Sequence, residues 1–367
     1  MGACDRLENF EDTFIQYLEK VEDFALRMAT TKFFIRGESI SFPLKVLRKL
    51  SPLFGGRTLT ETMFNRYLRT LEWHHFPPWT FSYFMYSAVF HGVLYALIKA
   101  PREFVEACEL FEAESKETYV NLLNYLALAD LLKFMAPSVV SKAFTFCYIP
   151  KVDLEKRGIR QVGLGKYLPL YDIRGLFKIE NSDSLLKEIF ACESYKCEEC
   201  GVTPLDDSAF VDLGAAYGET ALWYALYSSN SKLLAVDASQ EALAVARRNE
   251  ELAREFLRSK NNEMIIINKL IKKDTDAREL INLGKDKNAY FIKSDIEGYE
   301  REALEAFKDV LKEYKPYLAL AAYHKWDDLI VLPKKVKEAN PDYKLYLRPH
   351  ITFYKVPYGH SYVLFAR

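Results

Sequence analysis

The chain of 367 residues has no surplus of charge of either sign, with 50 Lys+Arg against 51 Asp+Glu. A dedicated nucleic-acid binder usually carries a basic excess to neutralise phosphates, so no nucleic-acid partner is expected. Cysteine is scarce. The six cysteines, at 4, 108, 147, 192, 197 and 200, are too few and too scattered for a disulfide scaffold. The first 25 residues are charged and periodic, without the apolar core of a secretory signal, and a reducing cytoplasm is the expected setting. There is no internal repeat and no low-complexity tract. The C-x-x-C at 197–200 lacks a second C-x-x-C or a close histidine pair to complete the four ligands of a structural zinc. Two neighbouring free thiols are expected there, and no metal site is assigned.

One long stretch lacks charge altogether. Phe76 to Ile98 holds no Asp, Glu, Lys or Arg over 23 positions, near the length that spans a bilayer. Pro77-Pro78, Ser82, Ser87, His91 and Gly92 interrupt it. It is read as a buried or groove-lining helix, with membrane-surface contact and a true span as the alternatives. Aromatics are plentiful, with 24 Tyr and 25 Phe, enough for a large core or a groove facing sugar or lipid. His74-His75, among Trp73, Phe76 and Trp79, reads as a substrate contact or as a packed aromatic cluster.

The order of elements suggests three regions. Residues 1–136 read as helical, with apolar residues recurring at helical spacing in Phe14–Met28, Phe104–Phe111 and Tyr119–Ala129. Residues 137–207, broken by Pro and Gly, read as a connector with short strands at Tyr167–Ile173 and Leu176–Ile179 and a helix near Ser184–Ala191. Gly163-x-Gly165-Lys166 there lacks the spacing of a phosphate loop. From 208 to 367 strand and helix alternate, with strands expected at Phe210–Leu213, Leu233–Val236, Met264–Ile271, Tyr290–Ser294, Tyr317–Ala322, Tyr343–Leu347 and Tyr362–Ala366. Helices are expected at Glu219–Tyr227, Gln240–Leu257 (with Ser239 as N-cap), Glu300–Tyr314 and Leu329–Ala339. The fold class is therefore α/β, a doubly wound sheet of about seven strands ending in an antiparallel hairpin. Such sheets bind ligands beyond the carboxyl ends of their strands.

Every chemically suggestive residue falls at one of those ends. Phe210-Val211-Asp212-Leu213-Gly214 leads through Gly218 into a helix. The second strand ends about 20 residues later in Asp237, an acid placed to accept from ribose hydroxyls. The glycines are spaced G-x-x-x-G. A dinucleotide site prefers G-x-G-x-x-G with its pyrophosphate on the helix N-terminus, so an acid-rich version fits S-adenosylmethionine (SAM) better. Asn268 and Lys269 lie at the third strand end, Asp295, Glu297 and Gly298 at the fourth, and Tyr323, His324 and Lys325 at the fifth. Asp212 orients the loop or reaches the cofactor, and Asp237 alternatively caps a helix. Glu297 sits at a helix start, where the dipole favours an acid for structural reasons alone. His324 is the candidate general base, since imidazole titrates near neutrality.

Together with the first loop, the segment Asp295-Ile296-Glu297-Gly298-Tyr299-Glu300 resembles the FkbM family of SAM-dependent methyltransferases, which carries an Asp-hydrophobic-Glu-Gly-x-Glu signature after its fourth strand. Tyr323-His324 fits the same pattern, and Glu112–Tyr119 is similar to the acidic-Ser-Lys-Glu-Thr segment of many such proteins. The resemblance spans about 205–367, with weaker traces at 105–135 and 165–200. It implies a Rossmann-like class I methyltransferase sheet and methyl transfer from SAM, usually to a hydroxyl of a sugar or natural product. It implies cofactor contacts from Asp212, Gly214, Ala215, Tyr217, Gly218, Thr220, Asp237, Asn268 and Asp295, and catalytic roles for Asp295, His324 and Glu297. Asp295 would act as base or as anchor for the amino acid moiety. Two departures stand out: Asp237 where relatives often have Glu, and a charged Lys272–Lys287 segment without their Thr-Leu-Asp element. Adenine contacts are therefore unassigned beyond Asn268 and Lys269.

The expected function is O-methylation of a sugar, glycan or glycolipid-type acceptor. The alternatives are an NAD-type oxidoreductase on a similar sheet and a non-catalytic SAM-binding protein.

Overall fold

A computed structural model describes residues 2–8, 97, 100–131, 147–148, 152–325, 327–351 and 361–367. The chain forms two compact units. Among the described residues, 2–8, 97, 100–109 and 116–131 belong to one unit and the remainder to the other. The apolar stretch at 76–98 and His74-His75 lie outside the described residues, apart from buried Leu97. No helix among the described residues is long and apolar enough to cross a membrane.

The smaller unit is helical where it is described. Phe104, Ala107 and Cys108 of the helix Pro101–Glu109 are buried, three positions of one apolar face. Cys108 is joined to Cys4, 104 residues away in sequence, by a disulfide with 5.8 Å between Cα atoms. A second disulfide joins Cys197 to Cys200 in the larger unit. The second corrects the expectation of two free thiols at 197–200. Spacing along the chain could not reveal the first pairing, because helix packing sets it.

The larger unit is built on an eight-stranded sheet of order β1-β10-β11-β9-β8-β5-β6-β7. Its strands are β1 Cys147–Tyr148, β5 Ser208–Leu213, β6 Lys232–Asp237, β7 Glu263–Asn268, β8 Ala289–Ser294, β9 Tyr317–Ala321, β10 Leu345–Ile351 and β11 Ser361–Ala366. Neighbouring strands are parallel except at β11, which runs antiparallel to both β9 and β10. A parallel sheet with one reversed strand, β11, inserted between β9 and β10 is the class I methyltransferase arrangement expected from the sequence. All six residues of β5 are buried, as a central parallel strand covered on both faces requires. Much of the aromatic content serves this core. Phe210 of β5 stacks on Tyr224 at 4.2 Å between ring centroids and meets Phe291 of β8 edge-on at 5.5 Å. The Tyr224 hydroxyl accepts from the Leu205 N–H at 2.9 Å, so its polar end is not stranded in that core.

Several elements differ from the sequence reading. The third strand stops at Asn268 instead of Ile271; the Lys269 N–H bond to the Asp237 carbonyl, at 3.0 Å, is the last of its ladder with β6. The helix expected at Glu300–Tyr314 breaks at Phe307 into Glu300–Ala306 and Lys308–Tyr314. The charged segment after Lys272 contains a short helix, Ala277–Leu283, whose N-terminus Asp276 caps by accepting from the Arg278 N–H. Its four apolar positions were too few to signal a period.

A separate three-stranded antiparallel sheet, β2 Ile159–Leu164, β3 Pro169–Ile173 and β4 Phe177–Glu180, packs on the helix Gln240–Ser259, with Phe177 stacked on Phe256 at 4.8 Å. Glu180 decides the fate of the Gly163–Lys166 turn. Its carboxylate accepts from the N–H groups of Lys166, Tyr167 and Leu168. Burial would raise its pKa, and these bonds outweigh it and lower the pKa. The donors that a phosphate would need are already taken.

Candidate functional site

The carboxyl ends of β5, β6 and β8 open onto a cavity of about 350 Å³. That is within the range of about 300–1,000 Å³ usual for small-molecule sites. Acids dominate its lining: Glu188, Glu219, Asp237, Asp295 and Glu297, against Lys269 and Lys293.

The loop after β5 is fixed by hydrogen bonds to its neighbours. Gly214 and Ala215 donate to the Val236 carbonyl at 2.9 and 3.1 Å, and the Gly218 N–H closes the turn on the Ala215 carbonyl at 2.7 Å. Gly214 has φ +77°, and a Cβ there would lie far inside contact distance of the Asp295 backbone oxygen. Glycine is thus required for the β5 and β8 loops to meet. Gly218 (φ +76°) caps the helix Glu219–Tyr227. The Glu219 carboxylate accepts from the Tyr217 N–H at 3.1 Å, so the chain's own acid sits at that helix start.

Asp237 is pinned on both oxygens. Oδ2 accepts from the Ala216 N–H at 2.9 Å and Oδ1 from the Ser239 N–H at 2.8 Å. The cap of the next helix is Ser239, which accepts from the Ala242 N–H, so the helix-capping alternative for Asp237 is not needed. Asn268 lies outside the cavity lining. Its amide donates to the carbonyls of Asp237 and Ala238, both at 3.0 Å, and so holds the turn after β6. Lys269, Leu270 and Ile271 line the cavity instead.

Asp212 is also absent from the lining. It is fully buried behind the loop, with Lys293 of β8 at 2.9 Å. The Lys293 ammonium donates to the Gly214 carbonyl at 2.7 Å and lies 5.2 Å from the Tyr195 ring centroid. Beyond the Lys293 ion pair, Asp212 accepts no hydrogen bond among the described residues. Burial pushes its pKa up to about 6 despite the lysine. Lys293 stays charged, since Asp212 and Asp295 outweigh the burial that would lower its pKa.

Asp295 is the hub of the site. Its Oδ2 accepts from the hydroxyls of Tyr195 at 2.6 Å and Tyr323 at 3.0 Å, and its Oδ1 faces His324 Nε2 at 3.3 Å. Burial alone would raise its pKa; Lys293, His324 and the two tyrosines lower it. His324 Nε2 also faces Glu297 Oε2 at 3.6 Å, and Nδ1 bonds Glu300 Oε1 at 3.0 Å. Burial would lower the imidazole pKa, but the three carboxylates raise it to about 9. In the free protein His324 is therefore charged at neutral pH, which differs from the near-neutral titration expected of a general base. Glu297, at φ +54°, is the exposed member of the group.

Of the residues singled out in the sequence, Gly214, Thr220, Asp237, Asp295 and Glu297 meet at the cavity, and His324 stands directly beside Asp295. Ala215 and Tyr217 shape the loop through their backbones. Sequence reasoning missed Tyr195, Glu219, Lys293 and Glu300. Lys293 had left a signal, a lysine inside the apolar run Tyr290–Ser294, and Glu300 is the last residue of the quoted signature. Tyr195 left none. It is presented by the segment Cys192–Lys196, whose carbonyls at 192 and 193 accept from Arg348 at 3.1 and 3.0 Å.

The buried titratable groups set the pH dependence of stability. Burial pushes Glu219 up to about 7, and its unfolded value is near 4.5. Between those values the native state holds a proton that the unfolded chain has lost, so stability falls as pH rises. His324 acts in the same direction between about 6.5 and 9. Its contribution is complete below 6.5 and lost above 9. The chemical-denaturation midpoint is expected to be higher at pH 5.5 than at pH 8.5. Glu219→Gln should flatten the lower part of that slope and gain roughly 2–3 kcal/mol at pH 8. An unchanged profile in this variant would refute the assignment.

No protein-family model and no curated protein matches the sequence. Among solved structures the chain is similar to a methyltransferase FkbM from Methylobacillus flagellatus, at 18% identity and TM-score 0.49, covering 76% of this chain and 62% of that one. The chain thus spans less than two thirds of that structure's length. It is also similar to a precorrin-6y C5,15-methyltransferase from Geobacter metallireducens (18% identity, TM-score 0.32, covering 44% of this chain and 80% of that one). A third is an O-methyltransferase from Bacillus cereus in complex with SAH (16% identity, TM-score 0.30, 43% and 74%).

Proposed function

We propose that the chain is a SAM-dependent methyltransferase acting on a hydroxyl of a sugar, glycan or glycolipid-type acceptor. The observation that carries this reading is the placement of Glu219. A dinucleotide needs its pyrophosphate on the first helix N-terminus, and here a carboxylate already occupies it, in a cavity with five lining acids against two lysines. A ligand carrying a sulfonium and an ammonium is favoured there, and a pyrophosphate is repelled. The NAD-type alternative is accordingly not favoured.

The residues present fit SAM. The Gly214 turn brings the β5 and β8 loops together at the cavity wall, where a Cβ would collide with the Asp295 backbone. Asp237 is held by two backbone donors with its carboxylate at the cavity wall, suited to ribose hydroxyls. Ala238, Leu270 and Ile271 offer an apolar strip for a base. Asp295, ionised and fixed by two tyrosine hydroxyls, suits the amino acid moiety or the region of the methyl group. When bound, SAM supplies an electrophilic methyl group. The protein holds the acceptor hydroxyl in line with it, and Glu297, at the cavity edge, takes up the released proton. His324, charged at neutral pH in the free protein, pairs with Asp295 and Glu297 and holds them at the cavity. Tyr299, half exposed at the cavity, offers a ring face to a sugar.

Calorimetry separates the readings. SAM is expected to bind and NAD to give no heat, with SAM affinity falling as pH drops through about 7 and Glu219 takes up its proton. Asp237→Ala should weaken SAM binding by about 10- to 100-fold, the loss of one or two good hydrogen bonds to a charged acceptor. Tight NAD binding would overturn the proposal. Label transfer from methyl-labelled SAM to a carbohydrate extract tests turnover, and binding without any labelled product would favour the non-catalytic reading.

A further inference from the structure

The acids around His324 are more than the imidazole can neutralise. Asp295, Glu297 and Glu300 all face one ring, and even a protonated ring leaves two formal negative charges in the cluster. Lys293 does not settle the balance, because its one positive charge is shared between Asp295 and the buried Asp212. We propose that this cluster binds a divalent first-row cation, ligated by His324 Nε2, Asp295 and Glu297, with Glu300 orienting the imidazole from its far side.

The distances carry the argument. With metal–ligand bonds of about 2.1 Å, adjacent donors lie about 3.0 Å apart on an octahedron and about 3.4 Å on a tetrahedron. His324 Nε2 is 3.3 Å from Asp295 Oδ1 and 3.6 Å from Glu297 Oε2, so each carboxylate already stands at a near-ligating separation from the imidazole nitrogen. On the opposite side Nδ1 bonds Glu300 Oε1 at 3.0 Å. A carboxylate on one imidazole nitrogen and a metal on the other is the pairing that fixes the ring and raises its basicity as a ligand. Glu300 supplies an independent observation. It is 1% exposed, one of its oxygens lies within 4.8 Å of ligand atoms on Asp295 and His324, and its Oε2 has no hydrogen-bond partner among the described residues. One imidazole with carboxylates suits manganese-like cations better than calcium. No sequence spacing announced the site, because its donors come from two strand ends, and no metal was expected there.

The use of the cation rests on the methyl-transfer reading. Asp295 and Glu297 line the cavity, so an open coordination position would face the acceptor. The coordinated hydroxyl is acidified and its proton leaves through Glu297 to water. The oxygen forms the new C–O bond as the methyl C–S bond breaks, with the electron pair staying on sulfur.

The test is Mn2+ titration of the chelator-treated full chain, read from the loss of the free-Mn2+ paramagnetic signal. One Mn2+ per chain is expected. Glu297→Gln, at an exposed position, and Asp295→Asn should each weaken binding by at least about 10-fold, and Glu300→Gln by about 10- to 100-fold. Circular dichroism of each variant establishes that it is folded. An absence of saturable binding would overturn the proposal, as would equal binding by wild type and the folded Glu297→Gln variant. SAM calorimetry on the same metal-free protein separates the two proposals. Mn2+ binding without SAM binding leaves the cation site standing and removes its methyl-transfer use. SAM binding without Mn2+ binding removes the cation site alone.

Discussion

Lys293→Met is expected to destabilise the larger unit by about 3–5 kcal/mol, the range seen when one partner of a buried ion pair is removed. Lys293 and Asp212 are both at most 3% exposed and lie 2.9 Å apart. Without the ammonium, Asp212 is left as a buried carboxylate that accepts no hydrogen bond, and its pKa should climb well beyond the present value of about 6. Thermal unfolding should fall by roughly 10 °C at pH 7.5. The control is Asp212→Leu with Lys293→Met. Replacing both charges by apolar groups of similar volume is often neutral, so the double variant should regain most of the lost stability. It should not regain SAM binding, because Lys293 also tethers the Gly214 carbonyl at 2.7 Å. If the double variant were as unstable as the single one, the ion pair would not be the cause.

Gly214→Ala should abolish or nearly abolish SAM binding, weakening it by about 100-fold or more, equivalent to about 3 kcal/mol. The added Cβ would meet the backbone oxygen of Asp295, and backbone cannot swing aside as a side chain can. The β5 and β8 loops would have to part, and with them Asp237 and Asp295, the two acids proposed to hold opposite ends of the ligand. Gly218→Ala is the matched comparison. Its φ of +76° imposes a left-handed cost of about 1–2 kcal/mol, but its Cβ would crowd only Met264 Cε, the flexible end of a side chain, with Ala246 at ordinary contact distance. The expected order is a large loss of affinity at 214 and a small one at 218, read by calorimetry. The reverse order would mean that the β5–β8 loop contact does not shape the site.

The strands were legible in the sequence for a physical reason. A parallel strand covered on both faces must be apolar throughout, so β5 and β6 stand out as short apolar runs between turn residues. β5 ended at the position expected, Leu213, and β6 one residue later, at Asp237. The rim residues were legible because an acid or glycine ending an apolar run has few structural reasons to be there. The weakly periodic pieces were not legible. Ala277–Leu283 is a helix of seven residues held by one cap, and the Phe307 break interrupts a pattern that reads as continuous.

Side-chain state was less legible than position. His324 was found, yet its charge depends on Glu300 and Glu297 closing around it. Asn268 was placed correctly at a strand end, but its amide turns back on Asp237 and Ala238 and away from the cavity.

The sequence alone determined the alternation of strand and helix, the glycine turn after β5, and the gathering of Asp237, Asp295 and His324 at one rim, because these follow from local pattern and the handed connection of parallel strands. Only the tertiary structure decided which groups are charged and which touch. The Cys4–Cys108 bridge, the burial of Asp212 against Lys293 and the three carboxylates around one imidazole join residues from separate elements, and their energies depend on distance and exclusion of water, neither of which is written in the order of residues.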